Sequence, residues 1–181
     1  MSQKDSKSAD TGAAGGTHPQ GGQATKGKQV LLQKIYLKDA SVEVPDGPLI
    51  FTREWKPEID VDLNTRINDI GENTHQVTVT ITVTAKQGEV TAYIVEVQKA
   101  GVFQLTGFDS EAELRQILGT YCPNSLFPYV REVVGDLIQR AGFPQFLLQP
   151  INFDALYQQH LKSEQNSEQD PPPKQPADAT H

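Results

Sequence analysis

The chain has 181 residues, with 23 acidic and 16 basic side chains, a net charge of −7, one Cys and one Trp. That length suits one ordinary domain, and a single cysteine excludes both an intrachain disulfide framework and a Cys-built zinc finger. The acidic balance argues against nucleic acid, which is bound by neutralising phosphates. No apolar run approaches the roughly 18–20 residues of a membrane span, and the N-terminus lacks the apolar core of a secretory signal. The expectation is a soluble intracellular protein.

Residues 1–27 hold six of the fourteen glycines and no Val, Leu, Ile or aromatic residue. Such a segment cannot bury enough apolar surface to offset its ordering entropy. It is predicted to be a disordered tail, as is the acidic, Pro-rich stretch 163–181 with its three consecutive prolines. The ordered domain is placed at 28–162.

The first half of that domain reads as strands. The first runs from about Gln33 to Val44. Ile59, Val61 and Leu63 then alternate with Asp60, Asp62 and Asn64. In the stretch from Gln76 to Ala85, Val77, Val79, Ile81 and Val83 alternate with Thr78, Thr80, Thr82 and Thr84. Strict period-two alternation of β-branched residues marks a half-buried antiparallel strand. Lys86-Gln87-Gly88-Glu89 reads as a hairpin connection to a strand over Val90–Ala100.

The second half reads as helices. Ser110 and Glu113 form an S-x-x-E capping box, followed at helical spacing by Leu114, Ile117, Leu118 and Tyr121, with Pro123 expected to end the helix. Val130, Val133, Val134, Leu137 and Ile138 make a second apolar stripe, closed by Gly142 and Pro144. Asn152 is placed to cap a third segment carrying Phe153, Leu156, Tyr157 and Leu161. Strands followed by helices predict an α+β fold, with helices on one face of an antiparallel sheet and the Thr face left to water.

Catalytic signatures are scarce. There is no Gly-rich phosphate loop, G-x-S-x-G or H-E-x-x-H. His18 and His181 fall in the tails, His75 falls in a turn and His160 lies near the end of the last helix, so all four are read as exposed. Cys122, at a helix end with no neighbouring His, reads as a small buried residue rather than a nucleophile. Asp60 and Asp62 share a strand face, but nothing nearby completes a metal or acid–base set.

Three features stand out. The connection 45–58 carries Leu49, Ile50, Phe51 and Trp55, whereas surface loops rarely hold four large apolar groups. The stretches SLFPY and GFPQFLLQP add Phe127, Tyr129, Phe143, Phe146, Leu147 and Leu148, more than one small helix-and-sheet layer needs. This surplus points to an apolar binding surface, a subunit interface, or both. Asp39, Ser41 and Glu43 share one strand face, and Ile94 and Glu96 share another. If both faces are the outer one, they make a carboxylate patch with an apolar centre, suited to a basic partner and weakened by salt.

The segments IYLKDASVEVPDGP, FTREWKPEIDVDLNT and VTVTAKQGEVTAYIVEVQKAGVF, the YCPN-x-LFPY-x-RE block (Tyr121–Glu132) and the FPQ…NFDALY block (Phe143–Tyr157) together resemble the SecB family of bacterial protein-export chaperones. The resemblance runs from about Gln33 to Leu161. It implies a four-stranded antiparallel sheet with helices behind it, and a homotetramer built as a dimer of dimers, with helix 111–121 at the tetramer contacts. It implies a cytoplasmic protein without enzymatic activity or cofactor. Such a protein binds unfolded preproteins and delivers them to the SecA motor ATPase, without inserting into the membrane itself. Matched one at a time, Asp39, Glu43, Ile94 and Glu96 fall at the family's motor-docking positions, with Ile94 where the family typically has leucine. The family's client groove implicates Phe51, Trp55, Val61, Leu63, Tyr129, Phe143 and Leu148 by position.

Two alternatives stand beside this reading. One is a SecB-like chaperone dedicated to a single client, such as an antitoxin. The other, of a different class, is an α+β small-ligand-binding protein or enzyme with its site under the 45–58 loop.

Overall fold

The computed structural model describes residues 27–169; of the tails read at 1–27 and 163–181, residues 1–26 and 170–181 lie outside the described residues. Four long strands, β1 (Gln29–Glu43), β2 (Glu58–Gly71), β3 (Thr74–Gln87) and β4 (Val90–Thr106), form one antiparallel sheet in the order β1-β4-β3-β2. Three helices follow: α1 (Glu111–Gly119), α2 (Tyr121–Arg140) and α3 (Phe153–Gln169). The α+β class and the four-stranded sheet are as expected from the sequence.

The alternation in β3 decides the layering. Val77, Val79, Ile81 and Val83 are fully buried, and in register with them Tyr93, Val95 and Val97 of β4 face the same way. Leu126, Val130, Val134 and Ile138, at helical spacing on α2, close over them. This helix covers the two central strands and leaves the flanks bare. The helix-side residues Leu32, Leu37 and Val42 on β1, and Ile59, Val61 and Ile67 on β2, are exposed. On the opposite face Thr80, Thr82 and Thr84 are half-buried and Thr78 is buried.

Consecutive strands β1 and β2 lie at opposite edges, so residues 44–57 must cross the end of the sheet beside the β3–β4 hairpin. Three strand spacings, about 14 Å, are an easy span for that length. The crossing segment folds on itself as a 3-10 turn (Leu49–Thr52), with Thr52 Oγ1 donating to the Leu49 carbonyl (2.8 Å) and Arg53 paired to Asp46 (3.2 Å). Gln87 Nε2 donates to the Glu54 carbonyl and ties the crossing to the hairpin.

Several local expectations are corrected. Pro123 does not end a helix. The break comes at Gly119-Thr120, and Pro123 sits in the first turn of α2, where its missing N–H has no helical partner to lose. α2 then runs through SLFPY, with Pro128 inside it. Ser110 does cap α1, accepting the Glu113 N–H at 3.5 Å, but the Glu113 carboxylate binds Lys28 (2.7 Å) instead of completing the box. His75 is neither in the turn nor exposed. Asn73 takes a left-handed conformation (φ 54°), which closes the turn early, and His75 lies buried on β3 with Nδ1 2.6 Å from Asp69 of β2. α3 begins as expected, with Asn152 Oδ1 accepting the Ala155 N–H (3.0 Å), but runs to Gln169, beyond the boundary drawn at 162.

Candidate functional site: an acidic sheet face and an aromatic cleft

The sheet face turned away from the helices carries the acidic patch. Directly opposed residues in an antiparallel pair share a face, so the register gives the patch row by row. Glu43 lies beside Ile94, Thr84 and Asp60; Ser41 beside Glu96, Thr82 and Asp62; Asp39 beside Gln98, Thr80 and Asn64. Asp39, Glu43, Ile94 and Glu96 are thus brought together, and Asp60 and Asp62 extend their rows to the far edge. Glu96 is held in place: its carboxylate accepts from Gln98 Nε2 at 3.0 Å and from Thr82 Oγ1 at 3.3 Å. Among the described residues no ion pair engages Asp39, Glu43, Glu96, Asp60 or Asp62.

The patch depends on irregularities in β1. The pairing shifts at Gln33 and again at Lys38. Each extra residue inverts the alternation of the strand. The helix side therefore takes Val30 and Leu32, then Ile35 and Leu37, then Ala40 and Val42. Without the shift at Lys38, Asp39, Ser41 and Glu43 would face the helices.

On the helix side, the crossing segment builds an aromatic cluster. Phe143, just beyond α2, sits with its ring centroid 4.8 Å from Tyr93, 5.1 Å from Trp55 and 5.1 Å from Phe51, and Trp55 stacks on Tyr93 at 6.3 Å. Tyr93, which the sequence reading did not single out, forms the floor, and its burial pushes the phenol above its usual range. Gly142 ends α2 in a left-handed conformation (φ 91°), where a Cβ would stand 3.3 Å from the Phe51 ring. Ile50 is core, the buried anchor of its turn.

Tyr93 opposes Ala85, which opposes Ile59. An apolar rail therefore leaves the ring cluster along the flank of β2: Ile59, Val61, the half-buried Leu63 and, beyond Thr65, Ile67. From Ile59 to Ile67 it covers about 27 Å of extended strand. Its far part enters a cleft of about 510 Å³ lined by Leu63, Ile67, Phe153, Leu156, Tyr157 and Leu161, with Arg115 and His160 at the same cleft. Phe51, Trp55, Phe143, Val61 and Leu63 are thus assembled on one continuous surface. Leu148 is buried in the core, and Tyr129 is exposed on α2 without a ring contact among the described residues. A wider cleft, about 960 Å³, runs between α2 and residues 145–150, with Arg131, Glu132, Asp136 and Arg140 along it; it shares no residue with the ring cluster.

Cys122 starts α2, a position that favours a thiolate. Burial wins, and its pKa is pushed up to about 12. No group of three or more His, Cys, Asp or Glu is placed to hold a metal among the described residues. None of the described helices is long and apolar enough to cross a membrane.

A half-covered sheet leaves two broad surfaces open, an apolar flank on the helix side and an acidic face on the other. Comparison with known proteins specifies which kind of protein carries them. The family described as preprotein translocase subunit SecB matches residues 23–164. The protein-export protein SecB of Alkalilimnicola ehrlichii is 53 % identical over 150 residues, covering 79 % of each chain. That of Nitrosococcus oceani is 50 % identical over 153 residues, covering 83 % of this chain and 90 % of its own. A solved SecB-like chaperone of Mycobacterium tuberculosis, in complex with a peptide from the HigA1 antitoxin, shares the fold with a TM-score of 0.56 at 18 % identity, covering 68 % of this chain and 91 % of its own. The chain belongs to the SecB family, and it is a protein-export chaperone.

Proposed function

We propose that this chain holds non-native preproteins in the trough formed by the ring cluster and the β2 rail, and passes them to the SecA motor ATPase through the acidic sheet face. It works as a cytoplasmic homotetramer with no catalytic step of its own. The observation that carries the reading is the crossing segment, which lays Phe51 and Trp55 against Phe143 beside an apolar strand flank that α2 leaves exposed.

Sequence-tolerant holding needs burial of side chains without a defined motif. Each Leu- or Phe-sized client group fully taken from water contributes about 1.5–3 kcal/mol. Fixing the client backbone opposes this at roughly 1–2 kcal/mol per residue, so one trough holds weakly and several on one oligomer give avidity. The exposed apolar row Leu32, Leu37 and Val42 beside the free edge of β1 supports self-assembly. The bare carboxylates of the outer face support a basic docking partner.

The test is to mix the protein with a reduced, denatured client and with the same client folded. A soluble complex with the denatured form alone is expected; equal capture of the folded form contradicts the reading. The antitoxin peptide carried by the Mycobacterium tuberculosis relative favours a second reading, a single dedicated client. Capture from lysate separates the two: many bound proteins support the export role, one bound protein the dedicated role.

A further inference from the structure

The outer sheet face changes sign along its length. The carboxylates of the patch, Glu43, Asp60, Glu96, Asp62 and Asp39, lie on three consecutive rows of the register. The next row runs Tyr36, Ala100, Thr78, Arg66, and the one after it Lys34, Val102, Gln76, Asn68. These rows carry two cations and no carboxylate. Arg66 and Lys34 are both exposed, and among the described residues neither has an ion pair.

The Arg66 row also collects hydrogen-bond donors. Tyr36 reaches over β4, so that its hydroxyl accepts from Gln76 Nε2 on β3, and Gln76 Oε1 accepts from Asn68 Nδ2 at 3.1 Å. The Tyr36 hydroxyl keeps its own proton to donate, above the strand next to Arg66. Beside Arg66, Thr78 is 3 % exposed, and its hydroxyl has no partner among the described residues. A guanidinium with two unengaged hydroxyl donors beside it fits a carboxylate.

We infer that this half of the face is a carboxylate slot: the partner segment that lays basic groups on Glu43 and Glu96 presents an acidic side chain to Arg66 and Tyr36. The inference rests on the acidic face being the motor-docking surface, and it adds the charge order of the docked segment. Arg66 stands four residues along β2 from Asp62, about 13 Å of strand. An extended docking segment therefore carries its acidic residue about four positions from a basic one. Opposite charges at a fixed spacing decide which way round the segment lies, because the reversed segment brings like charges together at both ends.

A partner that is only basic is repelled by Arg66, so removing that charge tightens its binding. A partner with the acidic side chain loses an attraction instead. The measurement is surface plasmon resonance of SecA on the full chain and its Arg66→Ala and Arg66→Glu variants. Low ionic strength keeps an exposed pair least screened, and circular dichroism confirms the fold. Arg66→Ala is expected to weaken SecA binding about two- to fivefold. Arg66→Glu is expected to weaken it about four- to 25-fold, since repulsion then replaces attraction. Unchanged or tighter binding by folded Arg66 variants, with Glu43 and Glu96 reversal still weakening it, overturns the slot and leaves the acidic docking face. No SecA binding by the wild-type chain, or none lost on Glu43 and Glu96 reversal, overturns both.

Discussion

Replacing Ile59, Val61 and Ile67 together by threonine tests the β2 rail. Threonine keeps the β-branched shape a strand favours while placing a hydroxyl where the trough is apolar. In the free chain these residues are 38 %, 39 % and 40 % exposed, so about two fifths of each remains to be covered by a client. Full burial of such a side chain contributes about 1.5–3 kcal/mol, which leaves roughly 0.6–1.2 kcal/mol per residue for the client to gain. Three residues then contribute about 2–3.5 kcal/mol, and their loss weakens holding by roughly 30- to 300-fold at 1.4 kcal/mol per tenfold. The assay is calorimetric titration of a reduced, alkylated client, with circular dichroism confirming the sheet. Leu31 and Ile70, exposed but away from the rail, replaced by threonine in the same way serve as the control and are expected to leave affinity within twofold. A folded triple variant that binds within threefold of wild type refutes the rail.

Charge reversal at Glu43 and Glu96 is expected to weaken SecA binding at least tenfold in a surface-plasmon assay and to leave client affinity unchanged; unaltered motor binding removes the patch from the docking role. Gly119→Ala puts a Cβ 2.6 Å from the Tyr157 ring, an overpacking expected to cost about 1–3 kcal/mol. The measurement is urea denaturation, and a cost below 0.5 kcal/mol shows that α3 does not rest on α1 there. The Cys122 thiol, with its pKa near 12, is expected to resist alkylation at pH 8 in the folded chain and to react in urea, as followed by mass spectrometry. Because this acid's folded pKa lies above its unfolded value of about 8.5, the unfolded state releases its proton first. The associated stability is complete below about pH 8.5 and is lost as pH rises toward 12.

The parts legible in the sequence are those with a simple period. The Val/Thr alternation of β3 and the apolar stripe of α2 each place their own core face, and the excess of large apolar residues in 45–58 reveals a crossing segment that is more than a connector. The relation between faces was harder to read. Whether Asp39, Ser41 and Glu43 share a side with Ile94 and Glu96 depends on the β1 irregularity at Lys38, and an alternation continued from Ile35 and Leu37 gives the wrong face. A signal does exist: the apolar positions of β1 move from Val30 and Leu32 to Ile35 and Leu37, then to Ala40 and Val42, changing parity twice.

Burial within an apolar cluster is equally hidden. Ile50 and Leu148 are core while Phe51 and Leu147, their immediate neighbours, are exposed, a difference set by which residue faces the sheet and not by composition. His75 looked like a turn residue because the turn closes a residue earlier, on Asn73, and its partner Asp69 is supplied by the facing strand. Tyr93 escaped notice because its role appears only when the crossing segment is laid over it.

The most direct measurement of the central claim is amide hydrogen exchange of the full chain with and without a reduced, unfolded preprotein. The account predicts added protection at residues 49–55 and along Ile59–Ile67, and none from the folded form of the same preprotein. Protection confined to other surfaces, or the same protection from the folded form, contradicts it.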